Sequence, residues 1–132
     1  MTLYVDSSAL IKRYLEEEEA EDAVAHMASD PVLVTSALTV IEVRRNLTRI
    51  LTDDFEVMRT RFTLDLDAFA VLPLDAQVCA EAARIAEQTL CRSLDSIHLA
   101  AARRAGTATI VLTFDQRQAE AARSIGLSVI GC

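Results

Sequence analysis

Short apolar runs alternate with longer stretches that repeat apolar residues at helical spacing along most of the chain. The short runs show no alternation of polarity, which is typical of strands buried on both faces. Predicted strands cover residues 3–5, 32–35, 70–72, 109–113 and 127–130. Predicted helices cover residues 7–17, 20–29, 37–51, 55–66, 76–90, 94–105 and 116–125. Gly106 and Gly126 follow the last two helices, where a left-handed C-terminal cap favours glycine.

This order of elements predicts a three-layer α/β/α fold with a mostly parallel five-stranded sheet. The length of 132 residues is that of one domain, and no linker or repeat divides the chain, so we expect a single domain over residues 1–132. An apolar content of 52% excludes a disordered chain. In such a fold, ligands bind beyond the carboxyl ends of the strands, at the point where the strand order reverses.

Uncharged stretches and cysteines indicate the cellular compartment of the protein. The longest uncharged stretch, residues 31–41, is too short to cross a membrane, and the N-terminus lacks the pattern of an export signal. We therefore expect a cytoplasmic protein with no membrane partner. Cys79, Cys91 and Cys132 form no C-x-x-C pair, which favours reduced and mostly buried thiols.

Aspartates follow the first and fourth predicted strands. Taken singly, Asp6 and Asp115 are explained as helix N-caps, and Asp115 with Gln118 has the spacing of a capping box. If the two strands are neighbours at the switch point, however, both carboxylates face one crevice. Capping alone does not require that coincidence.

Two further acids are candidates for the same crevice. Asp95 falls in the first turn of a helix for which Ser93 is the predicted N-cap. Glu42 lies on its predicted helix opposite the expected core stripe, on a face shared with Leu38, Arg45, Asn46 and Arg49; the stripe itself comprises Val40, Val43, Leu47, Ile50 and Leu51. The alternative for Glu42 is a surface glutamate near Arg45 or Asn46.

Four carboxylates in one crevice would repel one another, by about 4 kcal/mol for each pair at ~4 Å and an effective dielectric near ~20. Divalent cations remove that penalty, and oxygen-only ligands suit Mg²⁺ or Mn²⁺. This donor set favours phosphodiester hydrolysis, in which such cations activate water and stabilise the charge on the attacked phosphate.

Four short motifs, in this order, resemble those of the PIN-domain nucleases. They are Tyr4-Val5-Asp6-Ser7-Ser8-Ala9-Leu10, Glu42 in the helix after the second strand, Leu94-Asp95-Ser96-Ile97, and Thr113-Phe114-Asp115. Length and layout are most similar to the VapC toxins of bacterial and archaeal toxin–antitoxin pairs. The resemblance implies that Asp6, Glu42, Asp95 and Asp115 are the catalytic metal-binding acids, with Ser7 and Thr113 as supporting polar groups. It also implies an RNA substrate, Mg²⁺ or Mn²⁺, a homodimer and a cognate antitoxin.

The net charge of −7 argues against a general nucleic-acid binder, but the acidic excess is uneven. Residues 36–52 and 84–132 each carry a net charge of +2. Arginines in these two segments are the candidates for phosphate contacts, foremost Arg45, Arg49, Arg92 and Arg117, with Arg44, Arg103 and Arg104 behind them.

Two other functions stay open at this stage. A phospho-accepting receiver domain is also a small acidic α/β fold, but the third strand here ends in Leu72-Pro73-Leu74 without an aspartate, and Lys12 is the only lysine. In a non-catalytic interaction module, the acids would be caps and surface pairs. His98 follows Asp95 by one turn, but its apolar neighbours favour a packed helix histidine over a fifth ligand.

Overall fold

The computed structural model describes residues 1–29 and 32–132, which form a five-stranded sheet between two layers of helices. The strands are β1 (Thr2–Val5), β2 (Val32–Ser36), β3 (Phe69–Leu72), β4 (Ile110–Thr113) and β5 (Ser128–Gly131). The helices are α1 (Ser7–Leu10), α2 (Ala20–Ser29), α3 (Ala37–Ile50), α4 (Phe55–Asp65), α5 (Ala76–Thr89), α6 (Ser93–Arg104) and α7 (Gln116–Ser124), with 3₁₀ turns at Ile11–Arg13 and Leu66–Ala68. None of the described helices has both the length and the hydropathy that crossing a membrane requires.

The strand order is β3-β2-β1-β4-β5, and every neighbouring pair is parallel. The predicted α/β fold class is thus confirmed, as is the predicted neighbour relation of the first and fourth strands. Val5 lies opposite Leu112 in the register of β1 and β4. The order of strands reverses between these two, so their carboxyl ends mark the switch point at which a ligand site is expected.

Successive residues of β1 supply the two sides of the core. Leu3 and Val5 pack with buried side chains of α1 to α4, such as Phe62, whereas Tyr4 packs on the other face with side chains of α5 to α7, such as Leu99. Each of these large apolar side chains stabilises the fold by about 1.5–3 kcal/mol when fully buried. Helices therefore cover both faces of the sheet.

The first predicted helix is wrong in its second half. Helix α1 ends at Leu10, a 3₁₀ turn follows, and the exposed residues 16–19 lie outside any helix. Four consecutive glutamates repel one another and oppose the negative C-terminal end of a helix dipole. All other predicted boundaries agree with the structure to within one residue.

The prediction of mostly buried thiols is also wrong. Cys79 is exposed, Cys91 and Cys132 are half-buried, and none of the three is in a disulfide. Helix α5 buries the face that carries Val78, Ala82 and Ile85, and Cys79 falls beside that face rather than on it. Residue type alone does not determine which side of a helix is buried.

Two glycines near β5 have positive φ and very different surroundings. Gly131 has φ of 107° and lies opposite Thr113 of β4, and a methyl group on it would overlap the carbonyl oxygen of Thr113. Gly126 has φ of 84° and open space at the same position. Gly131 therefore allows the close approach of β5 to the strand that leads into the switch point.

We expect Gly131→Ala to lower the free energy of unfolding by at least ~1 kcal/mol more than Gly126→Ala. Both variants suffer the backbone strain of a non-glycine residue at positive φ, about 1–2 kcal/mol, but only the first adds a clash with backbone. Chemical denaturation of the two variants and the wild type measures the difference. Equal losses would show that β5 does not depend on this close approach.

Candidate active site

The candidate site lies at the carboxyl ends of β1 and β4. Asp6 follows β1 directly, and its backbone N–H donates to the carbonyl oxygen of Leu112 in β4 at 3.2 Å. Thr113 ends β4, and Asp115 is the N-cap of α7, just as Asp6 is the N-cap of α1. The predicted caps are therefore confirmed, and the strand order brings them to one edge of the sheet.

Asp6 is a buried carboxylate with neutral partners. Its side chain is held by the hydroxyls of Ser8 (2.7 Å) and Thr113 (2.5 Å) and by the backbone N–H of Ala9 (3.0 Å), and the residue is 3% exposed. No lysine or arginine pairs with it in the described part of the chain. Burial raises the pKa of Asp6 above its ordinary value, although the nearby His98 and the three hydrogen bonds act in the opposite direction.

Glu42 enters the site from α3, which packs against both α1 and α6. The hydroxyl of Ser7 donates to its Oε1 at 2.9 Å, and His98 Nε2 lies 2.6 Å from the same oxygen. Burial alone would raise the pKa of Glu42, but the hydrogen bond and charge of His98 outweigh it, so the pKa lies below its ordinary value. The surface interpretation of Glu42 is wrong, because Arg45 and Asn46 bond each other instead.

His98 belongs to the site, although sequence reasoning placed it outside the set. It is buried, as predicted for a packed helix histidine, with Nδ1 2.8 Å from the hydroxyl of Tyr4. That hydroxyl donates in turn to Ser36 Oγ at 2.9 Å. His98 therefore links Glu42 to the centre of the sheet. The signal in the sequence was its distance of three residues from Asp95, which places both on one face of α6.

Asp95 and Asp115 are joined by an arginine. Arg92 Nε donates to Asp95 Oδ2 at 3.2 Å, and its Nη2 lies 3.6 Å from Asp115 Oδ2. The other oxygen of Asp115, Oδ1, accepts from the backbone N–H groups of Arg117 (2.9 Å) and Gln118 (3.3 Å). One guanidinium thus holds carboxylates from two different helices.

The four predicted acids line one cavity of about 290 Å³. It also contacts Ser7, Ser8, Arg92, Ser93, Leu94 and His98. A second cleft of about 450 Å³ shares Arg92 and Asp95 with this cavity and extends along α7 past Arg117, Glu120 and Ser124. Among residues 1–29 and 32–132, however, no three Asp, Glu, His or Cys side chains are close enough to hold a metal ion as they stand.

The composition of the cavity nevertheless fits a hard divalent cation. Its four carboxylates supply only oxygen ligands, which suit Mg²⁺ and Mn²⁺. The burial of Asp6 also supports a cation here, because a buried carboxylate without a cationic partner is unfavourable unless a cation balances its charge. The side chains of the cavity that could hold such an ion are those of Asp6, Glu42, Asp95 and Asp115.

Three local details differ from the sequence prediction. Leu38 is buried rather than on the outer face of α3, since the first turn of α3 buries both Leu38 and Thr39, and Ile50 in the last turn is exposed. Helix α6 begins at Ser93 itself, with Arg92 as the N-cap and no side-chain cap bond. Gln118 does not complete a capping box, because its buried side-chain amide has no hydrogen-bond partner in the described part of the chain.

The predicted phosphate-binding arginines fall into two groups. Arg92 and Arg117 line the cleft beside the acids. Arg45 and Arg49 lie on the outer side of α3, where both contact Asn46, and they do not line the acidic cavity. The cleft therefore has cationic side chains on the side of Asp95 and Asp115.

Comparison with known proteins finds relatives that match nearly the whole chain. The PIN domain family matches residues 3–124. Ribonuclease VapC35 of Mycobacterium tuberculosis is 34% identical over 134 residues, which cover 97% of this chain and 95% of that protein.

Solved structures share the fold. FitAcB from Neisseria gonorrhoeae superposes with a TM-score of 0.78 at 24% identity, covering 98% of this chain and 96% of that one. A toxin-antitoxin complex from Klebsiella pneumoniae gives a TM-score of 0.74 at 18% identity, with coverage of 99% and 97%. This chain has a parallel sheet with four acids at its switch point, and both the family and a named relative match it over nearly its whole length. It is therefore a member of the PIN-domain family, within the group of VapC ribonucleases.

Proposed function

We propose that this chain is a metal-dependent endoribonuclease, the toxin of a type II toxin–antitoxin pair, which hydrolyses RNA phosphodiester bonds with Mg²⁺ or Mn²⁺. One observation carries the proposal. Acids from four separate elements line a single cavity at the switch point, and the most buried of them, Asp6, has no cationic partner in the described part of the chain. Capping and surface pairing do not require that convergence.

The residues of the cavity divide into ligands and supports. Asp6, Asp95 and Asp115 are the proposed direct ligands, and Glu42 is a ligand either directly or through water. Thr113 holds one oxygen of Asp6, and Ser7 holds one oxygen of Glu42, so each fixes a carboxylate in place. A bound divalent cation would supply the Lewis acidity that activates water and neutralises charge on the phosphate.

RNA would reach this cavity along the adjoining cleft. Arg117 lines that cleft, and its guanidinium has no hydrogen-bond or ion-pair partner in the described residues. With a net charge of −7, the protein as a whole repels RNA, so binding requires local positive charge, which a few arginines supply even without the cation. Arg92 and Arg117 are the proposed contacts nearest the acids, and Arg45 and Arg49 are proposed for a more distant part of the RNA.

The partners of the chain are proposed from its family. The similar structure from Klebsiella pneumoniae is that of a toxin-antitoxin complex, which supports a cognate antitoxin for this chain. We extend the proposal to a homodimer in the cytoplasm, in which residues 1–132 act as one domain. The five strands come from the whole length of the chain, which supports a single folding unit.

Family membership disfavours the receiver-domain alternative, since the matched family is that of the PIN domain. The alternative that an experiment must separate from the proposal is a non-catalytic module, in which Asp6 serves only as a helix cap. Asp75 provides a matched comparison, because its Oδ1 accepts from the backbone N–H of Val78 at 2.9 Å, in the same way that Asp6 accepts from Ala9.

We expect Asp6→Asn to lower RNA cleavage in Mg²⁺ or Mn²⁺ by more than ~100-fold, since asparagine keeps the cap but lacks the charge of a ligand. Asp75→Asn should cleave RNA at the rate of the wild type. EDTA should stop cleavage by the wild type and by Asp75→Asn. Gel analysis of a structured RNA measures the rates. Full cleavage by Asp6→Asn would mean that the metal site is wrongly assigned.

Arg117→Gln tests the cleft as an RNA path. We expect the slope of log affinity against log salt to fall by about 0.7, the change for one lost contact to single-stranded RNA. Fluorescence anisotropy with a labelled RNA in EDTA, which keeps the RNA intact, measures this slope. Arg123→Gln is the control at the other end of α7, where Arg123 bonds the carbonyl oxygen of Cys132. An unchanged slope for Arg117→Gln would exclude a phosphate contact there.

A further inference from the structure

Arg92 occupies a special position between the two cavities. It is the N-cap residue of α6, in extended conformation, and it contributes to the lining of both the acidic cavity and the adjoining cleft. Its guanidinium contacts Asp95 at 3.2 Å and Asp115 at 3.6 Å, so one positive charge is shared by two proposed ligands. In the described residues, no hydrogen bond joins Asp95 directly to Asp115.

The charge of Arg92 is the main compensation for this pair of acids. Asp95 and Asp115 carry like charges, and the positive charge between them removes much of their repulsion. His98, which also lines the cavity, contacts Glu42 rather than either of these two acids. Arg92 therefore has the electrostatic role, at Asp95 and Asp115, that a bound cation would have.

The contacts of Arg92 are also weak enough to be replaced. Its side chain is 64% exposed, and its contact with Asp115 is longer than a hydrogen bond. Exposed ion pairs of this kind contribute little free energy, because water screens the charges and the long side chain loses entropy. A divalent cation concentrates twice the charge and binds carboxylate oxygens directly.

The displaced side chain has space to occupy. The adjoining cleft of about 450 Å³ already includes Arg92 in its lining, together with Glu120, which is exposed and carries the opposite charge. A rotation of the arginine side chain into this cleft would free Asp95 and Asp115 without moving the backbone of α6.

From this geometry we infer that Arg92 is the counter-cation of the metal-free site, bridging Asp95 and Asp115 until a divalent cation takes its place and the arginine turns into the cleft. The inference rests on the proposed function, because it requires a cation site at the four acids. It adds a competitor for that site that belongs to the chain itself. Loss of the positive charge at position 92 then strengthens metal binding.

A purely structural role predicts the opposite sign. If Arg92 served to orient Asp95 for the metal, its removal would leave the carboxylate less ordered and weaken metal binding. The affinity for a metal, measured without RNA, therefore separates the two roles, whereas a change in cleavage rate would not.

The experiment is isothermal titration of the metal-free full-length protein with Mn²⁺. We expect Arg92→Gln to bind Mn²⁺ about 2- to 5-fold more tightly than the wild type, the range for loss of a weak competing ion pair. Arg92→Lys keeps the charge and should bring the affinity back toward the wild-type value. Arg84→Gln is the matched control, since Arg84 forms an ion pair three residues away on its own helix, with Glu81, and is 68% exposed.

Unchanged or weaker Mn²⁺ binding by Arg92→Gln would overturn the inference. Titration of Asp6→Asn in the same way separates failure of the proposed cation site from failure of the proposed role of Arg92. If Asp6→Asn lowers the affinity and Arg92→Gln does not raise it, the cation site stands and only the role of Arg92 is wrong. If the wild type and Asp6→Asn bind Mn²⁺ equally, the cation site and the inference fall together. Far-ultraviolet circular dichroism checks that each variant is folded.

Discussion

The burial of one carboxylate, that of Asp6, is the constraint on which the rest of the site depends. The carboxylate lies between the ends of the two central strands, fixed by two hydroxyls and a backbone N–H. These donors orient the charge but do not neutralise it, and burial raises the pKa of Asp6. The sheet thus carries an ionisable group at its switch point that is most stable beside a cation. A cavity of about 290 Å³ lies at this edge, where a cation could bind beside Asp6.

The remaining acids are arranged around Asp6 with donors of their own. Glu42 is held by His98, which is linked through Tyr4 to the sheet, while Asp95 and Asp115 are held by Arg92. This explains why the four acids share a cavity and yet do not close around an ion as they stand. The protein satisfies each carboxylate locally, and a cation that binds in the cavity would have to replace some of those contacts. Its affinity would then be a difference between two sets of interactions, to which side chains outside the proposed ligand set also contribute.

Much of this arrangement could be predicted from local patterns. Asp6 and Asp115 stand directly after predicted strands, and parallel strands bring their carboxyl ends to one edge, so strand order alone places these acids together. The role of His98 could not be predicted in the same way, because its contact with Glu42 joins residues 56 positions apart and depends on α3 packing against α6. The burial of Leu38 could not be predicted either. A periodic pattern gives one buried face of a helix, but the first turn of α3 is enclosed on more than one side.

The central claim is that Asp6, Glu42, Asp95 and Asp115 form one site for a divalent cation. A crystal structure of the protein grown with Mn²⁺, with anomalous diffraction measured at the manganese edge, tests it most directly. The result we expect is an anomalous peak inside the cavity that these four side chains line, with Arg92 no longer between Asp95 and Asp115. A peak elsewhere on the protein, or an empty cavity in a preparation that cleaves RNA with Mn²⁺, would contradict it.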